Sequence, residues 1–201
     1  MRRRVFVATA LAFAVSPALA RALAQSGNGG QSRRLDGAGR YFGNLVLIDQ
    51  DGRRLRFYED LLDGRIAVIN GFFGGCTASC PVVLNNLAAL HERLAIEGID
   101  ASFVSVTVDP DGDTPERLPA IAQRFGVAAG WHLLSGAPDA VRQVLAKLGL
   151  APNPADPADH LNVLYVANLR TGLWIKALSL APVDDLMALV AKAASDSGSD
   201  G

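Results

Sequence analysis

Residues 71–81 read Gly71-Phe72-Phe73-Gly74-Gly75-Cys76-Thr77-Ala78-Ser79-Cys80-Pro81, and they hold both cysteines of the 201-residue chain. The apolar run before them is typical of a buried strand, and the apolar periodicity after them is typical of a helix. Because proline suits the first turn of a helix, Pro81 sets the helix start near Cys80 and leaves Cys76 in the preceding loop. Two thiols at such a junction are placed for soft-metal binding or for reversible disulfide chemistry.

The position of each cysteine predicts its state. Cys80 lies at the positive end of the helix dipole, which favours its thiolate form. Cys76 follows Gly74-Gly75, and we expect it to be partly exposed and mobile. A purely structural disulfide is a poorer interpretation, because a bridge closing so short a loop constrains the unfolded chain very little.

Composition and charge limit the class of protein. Half of the residues are hydrophobic and 19% are charged, which is typical of a globular domain. The formal net charge of −1 argues against a nucleic-acid-binding protein, which would carry a basic surplus. The sequence has no uncharged apolar run long enough to predict a membrane-spanning helix.

The N-terminal residues have the pattern of an export signal. Arg2-Arg3-Arg4 precedes the apolar run 5–15, and small-residue Ala-x-Ala sites follow at 18–20 and 22–24. The paired arginines with Phe6 resemble a twin-arginine signal. Residues 1–24 therefore predict a periplasmic or otherwise exported protein. The alternative is an uncleaved segment that tethers the protein to the membrane.

The rest of the chain divides into a linker, a folded domain and a tail. The polar, glycine-rich residues 25–40 predict a flexible linker, residues 41–194 the domain, and residues 195–201 a polar tail. The domain begins with a predicted β-hairpin. Its strands are predicted at 44–48, 54–57, 66–70, 99–108, 131–134, 162–167 and 173–177, and its helices at 81–97, 115–125, 138–148 and 182–194. Thr114 is predicted to cap the second of these helices.

This order of elements predicts an α/β fold of thioredoxin-like architecture. Strands that alternate with helices, followed by a hairpin and a last helix, imply a central mixed sheet flanked by helices on both faces. The cysteine motif then lies where a strand gives way to a helix, at the end of the sheet, which is a common place for functional loops.

The two thiols need a third ligand if they bind copper. Two ligands are too few for a closed zinc site, which takes four, whereas two thiolates and one imidazole suit copper. His91 lies among polar residues of a helix, where a solvated surface role is expected, and His132 lies in a short strand, where half-buried packing is expected. His160 stands between a proline-rich loop and a strand, a position that fits either a ligand or a turn or strand-cap residue.

Residues 71–81, residues 105–116, and Asp159-His160 with the strand that follows form three motifs. Together these motifs resemble the SCO/SenC proteins of cytochrome c oxidase assembly. Residues 71–81 are similar to the family's aromatic-led Cys-x-x-x-Cys-Pro motif, and residues 105–116 (SVTVDPDGDTPE) to its second signature. Asp159-His160, followed by the strand with Tyr165, matches its Asp-His element. The resemblance implies a thioredoxin-like fold that binds copper, as Cu(I) or Cu(II), through Cys76, Cys80 and His160.

The resemblance also implies a metallochaperone. Such a protein delivers copper, or electrons, to the dinuclear copper site of cytochrome c oxidase or of a related copper enzyme. Its partners would be the copper-site subunit and either a copper donor or a thiol reductant. The alternative is an enzyme, a thiol–disulfide oxidoreductase that uses Cys76 and Cys80 with no obligatory metal. Only the first function needs His160.

Overall fold

The strands of the structure are the apolar, β-branched segments that the sequence predicts. In the computed structural model, which describes residues 37–76, 80–151 and 163–198, seven strands form one sheet of order β2-β1-β5-β4-β3-β6-β7. They are β1 Val46–Asp49, β2 Arg54–Arg56, β3 Ile66–Phe72, β4 Ser102–Thr107, β5 Trp131–Ser135, β6 Val163–Asn168 and β7 Leu173–Leu178. The central strands β3, β4 and β5 are parallel neighbours, and the other neighbouring pairs are antiparallel.

Helices cover both faces of this sheet. Their bounds are α1 Gly37–Phe42, α2 Cys80–Glu97, α3 Leu118–Phe125, α4 Pro138–Leu148 and α5 Val183–Ser195. Alternate residues of β3 belong to two different cores, as the two-residue period of a strand requires. Val68 packs in the core with α2, α3 and α5, and Ile69 packs in the core with α1 and α4. The predicted mixed sheet flanked by helices, with its N-terminal hairpin of β1 and β2, is confirmed.

The departures from the prediction occur at element ends, and the predicted strand 99–108 is shortened to Ser102–Thr107. Residues 37–40, which the sequence assigned to the linker, belong to α1, because the Phe42 ring packs 5.4 Å from Phe57 and 6.0 Å from Trp174. Helix α3 begins at Leu118, and its N-cap is Arg117 rather than the predicted Thr114. Local sequence favoured the Thr-Pro start, but the chain forms a turn there first.

The predicted signal at 1–24 lies outside the described residues, as do residues 25–36 and 199–201 of the predicted linker and tail. Of the helices that the structure describes, none combines the length and the apolar content needed to cross a membrane. Ser195 closes α5, so the predicted tail begins within the last helix.

A buried hydrogen-bonded chain joins the three parallel strands. Trp131 Nε1 donates to Ser105 Oγ at 2.9 Å, and Ser105 Oγ donates to Asn70 Oδ1 at 2.6 Å. Asn70 Nδ2 in turn donates to the Gly71 carbonyl at 2.9 Å. Trp131, Ser105 and Asn70 are each at most 1% exposed. Their polar atoms therefore form hydrogen bonds with one another and with the backbone instead of with water. These hydrogen bonds fix the end of β3 that precedes the cysteine loop.

Replacing Ser105 with alanine should lower the free energy of unfolding by about 2–3 kcal/mol, because it leaves the indole N–H of Trp131 and the side-chain Oδ1 of Asn70 buried without these hydrogen bonds. Urea denaturation measures the loss. Ser102→Ala is the matched control on the same strand, since the described residues offer the Ser102 hydroxyl no hydrogen-bond partner. Equal losses of unfolding free energy in the two variants would contradict the stabilising role of the Trp131–Ser105–Asn70 hydrogen bonds.

Candidate metal centre

The loop from β3 to α2 brings the two cysteines together. The Cys76 amide donates to the Phe73 carbonyl at 3.1 Å, and Cys80 is the first residue of α2. Both cysteines are unbridged and buried, with exposed fractions of 8% for Cys76 and 2% for Cys80. The predicted partial exposure of Cys76 is therefore wrong, because Cys76 belongs to a hydrophobic core against which Phe73 packs.

The Cys80 thiol is held in its neutral form. Burial, and next a hydrogen bond between this thiol and Cys76, raise the pKa of Cys80 to about 12. Backbone hydrogen bonds act in the opposite direction and are weaker. The sequence-based expectation of a Cys80 thiolate is thus wrong for the reduced, metal-free protein, because desolvation outweighs the favourable field of the helix end.

The donor set of this pair fits a soft metal ion. Two sulfur atoms in hydrogen-bonding contact, in an apolar setting, suit copper(I), and a bound metal displaces the thiol protons. Within residues 37–76, 80–151 and 163–198, no group of three or more histidine, cysteine or acidic side chains could hold a metal. His160, the third predicted ligand, lies outside the described residues and stays a prediction.

The two other histidines pack away from the cysteine pair. His91 was expected to be solvated, but it is half-buried, with its ring 4.8 Å from Phe103 and 6.4 Å from Trp131, and burial lowers its pKa. That expectation is wrong, since the helical pattern did not show the aromatic rings opposite. His132 is half-buried as predicted, and its Nδ1 lies 3.2 Å from the Asp49 carboxylate.

One residue that contacts the cysteine loop was not predicted from the sequence. Asp113 follows β4 in the turn before α3, and its Oδ2 accepts hydrogen bonds from the Gly74 amide at 2.8 Å and from Thr107 Oγ1 at 2.7 Å. The sequence identified this turn as part of a family signature and as the approach to a helix cap, and it indicated no separate role for Asp113. An acidic residue between a strand end and a Thr-Pro step was the available signal, but its partner lies 39 residues earlier.

Comparison with known proteins decides the family. A family model described as SCO1/SenC matches residues 34–168. The chain is also 30% identical to a SCO2-like protein of Rickettsia felis over 140 residues, which cover 67% of each chain. The chain belongs to the SCO1/SenC family. The predicted family resemblance is thereby confirmed, and the matched region contains both cysteines and His160.

Solved structures of SCO1/SenC proteins share this fold. A SCO1/SenC family lipoprotein from Bacillus anthracis aligns with a TM-score of 0.63 at 24% identity, over 75% of this chain and 92% of its own. BsSco is a member of the Sco family of cytochrome c oxidase assembly proteins with an identified disulfide switch. It aligns with a TM-score of 0.62 at 22% identity, over 75% of this chain and 91% of its own. Yeast Sco1 with copper bound aligns with a TM-score of 0.63 at 20% identity, over 75% of this chain and 89% of its own. The predicted thioredoxin-like fold is confirmed.

Proposed function

We propose that this SCO1/SenC chain is an exported copper-binding protein that delivers copper to, or reduces the cysteines of, the dinuclear copper site of cytochrome c oxidase or a related copper enzyme. The observation that carries the proposal is the contact between two buried, unbridged cysteines at the start of α2. Copper bound to yeast Sco1 and the assembly role of the Sco family to which BsSco belongs support the metal and the partner.

In this proposal the protein's own residues hold copper as cargo. Cys76 and Cys80 supply two sulfur donors, His160 supplies an imidazole, and the proton on Cys80 leaves when the metal binds. The apolar surroundings limit access of water to the pair. Cys80 is held as the first residue of α2, whereas Cys76 lies outside the helix, so Cys76 would be the first to exchange for a ligand of the receiving protein.

The proposed location rests on the predicted export signal, and the proposed partners rest on the family. Residues 1–24 would direct the chain to the periplasm, and the segment would tether it to the membrane if uncleaved. The lipoprotein relative in Bacillus anthracis supports membrane association. The expected partners are the copper-site subunit of a respiratory oxidase or another copper enzyme, and a copper donor or thiol reductant.

A thiol–disulfide oxidoreductase is the second candidate, favoured by the unbridged pair and by the disulfide switch of BsSco. The Cys76 thiolate would attack a partner's disulfide, releasing one partner thiolate and forming a mixed disulfide. Cys80 would then lose its proton and displace the second partner sulfur. The products are a Cys76–Cys80 disulfide and a reduced partner. The neutral state of Cys80 supports Cys76 as the thiolate that attacks first in this proposal.

Replacing His160 with alanine tests the copper proposal. Loss of a direct ligand should lower the copper(I) affinity of the reduced protein by at least about 100-fold, since even outer-shell partners are worth roughly 10- to 100-fold. The equilibrium between the dithiol and the disulfide with glutathione should change little. Anaerobic competition with a chromophoric copper(I) chelator measures the affinity.

His91→Ala is the control for this experiment, because His91 packs on Phe103 and serves no metal in the proposal. That variant should lose some stability and keep the copper affinity of the original protein. Unchanged affinity in His160→Ala would remove the third ligand from the proposed site and would favour the oxidoreductase.

A further inference from the structure

The Asp113 carboxylate is buried at the base of the cysteine loop. Asp113 is 1% exposed, and its Oδ2 receives the Gly74 N–H and the Thr107 O–H. Among the residues that the structure describes, no lysine, arginine or histidine forms an ion pair with it. A buried carboxylate is costly unless donors compensate it, so these two hydrogen bonds are what makes its burial tolerable.

The clearance at Gly74 shows how tightly the loop is held. A Cβ atom on Gly74 would lie 2.4 Å from Asp113 Oδ1 and 2.5 Å from Ile121 Cδ1, so a side chain here would displace this carboxylate or the Ile121 methyl group. Gly74 lies two residues before Cys76 and two residues after Phe72, which pairs with Thr107 in the sheet. The carboxylate therefore fixes the middle of the segment that carries the first thiol.

Asp113 is itself fixed by elements other than the cysteine loop. Its amide donates to the Asp109 carbonyl at 2.7 Å, and its carbonyl accepts a hydrogen bond from Ser135 Oγ at the end of β5. The carboxylate thus transmits the position of β4 and β5 to the cysteine loop. Helix α2, which carries the second thiol, takes no part in these contacts.

We propose that Asp113 is a positioning residue of the cysteine pair, holding Cys76 buried against Cys80 through the Gly74 amide. The consequence for copper rests on the proposed function, whereas the consequence for the thiols does not. A hydrogen bond to a charged acceptor is about twice as strong as one to a neutral acceptor. Removing the charge therefore loosens the loop without removing the oxygen atom that Gly74 contacts.

The test compares Asp113→Asn with Asp111→Asn, the same change in the same turn at a side chain that is 76% exposed. In Asp113→Asn, hydrogen exchange of the Gly74 amide and alkylation of Cys76 should each become about tenfold faster, and copper(I) affinity should fall about tenfold. Asp111→Asn should change none of these. Val190→Ala removes buried apolar volume from α5, whose described residues make no hydrogen bond with Asp113, and so reports what loss of stability alone does to the same rates.

Three results decide the inference. If Asp113→Asn raises the Gly74 and Cys76 rates no more than Val190→Ala does at equal loss of stability, Asp113 is only structural and the inference is overturned. If Asp113→Asn does not fold, Gly74→Ala breaks the same contact from the loop side and must give the same increases. If the original protein binds no copper, the proposed function fails, while the exchange and alkylation rates still decide the role of Asp113.

Discussion

Replacing Cys80 with serine should abolish tight copper(I) binding by the reduced protein. The loss should exceed about 100-fold, because a direct sulfur ligand matters more than the outer-shell groups whose loss costs roughly 10- to 100-fold. A serine hydroxyl is a hard, protonated group that soft copper(I) does not select. Cys76→Ser should behave in the same way, since the two sulfurs lie in contact. Among the described residues, no cysteine, histidine or acidic side chain stands close enough to take the place of the lost sulfur in a metal site.

Val82→Ser is the matched control for the cysteine variants. Val82 lies in the first turn of α2 and is 51% exposed. The substitution introduces a serine two residues from Cys80 without removing a sulfur. Its copper affinity should equal that of the original protein. Original affinity in both single-cysteine variants would exclude the pair as the copper site, whatever the role of His160.

Alkylation of Cys80 in the folded, reduced, metal-free protein should be about 1,000-fold slower at pH 8 than that of an ordinary cysteine. A pKa of about 12 leaves only about one Cys80 in 10,000 as the reactive thiolate at that pH, against roughly a quarter for a thiol with an ordinary pKa near 8.5. The rate should rise about tenfold per pH unit up to the unfolding pH. Peptide-resolved mass spectrometry after timed iodoacetamide treatment measures it.

The same protein in 6 M guanidinium chloride is the control, because unfolding exposes both thiols and should make their rates alike. A rate plateau near pH 8 in the folded protein would contradict the raised pKa. Since the folded pKa of Cys80 exceeds its unfolded value, the neutral thiol stabilises the reduced protein below about pH 8.5. That contribution should be lost as the pH rises from about 8.5 to 12.

The strands of the sheet and its first hairpin were predictable because their signals are local. The wholly buried β3 is a short apolar run, and β1 and β2 flank an Asp-Gly turn that favours a hairpin. The place of the two thiols was predictable for the same reason, since Pro81 marks the start of α2. These features depend on residues within a few positions of one another.

The state of the thiols was not predictable, because it depends on residues distant in the chain. The burial of Cys76 and the pKa of Cys80 follow from the packing of the core, which a motif of eleven residues does not describe. The Asp113 contact with Gly74 joins two motifs that the sequence analysis treated separately. The ligand role of His160 rests on family resemblance, and His160→Ala decides it.

The close fit between Gly74 and Asp113 has a consequence for protein engineering. A designer who grafts residues 71–81 onto another thioredoxin-like scaffold would transfer the thiols without the carboxylate that orients them. The transplant should include the turn after β4 as a second fragment, in register with the first through the pairing of Phe72 with Thr107. The transferable unit is therefore a pair of neighbouring strand ends and not a linear peptide.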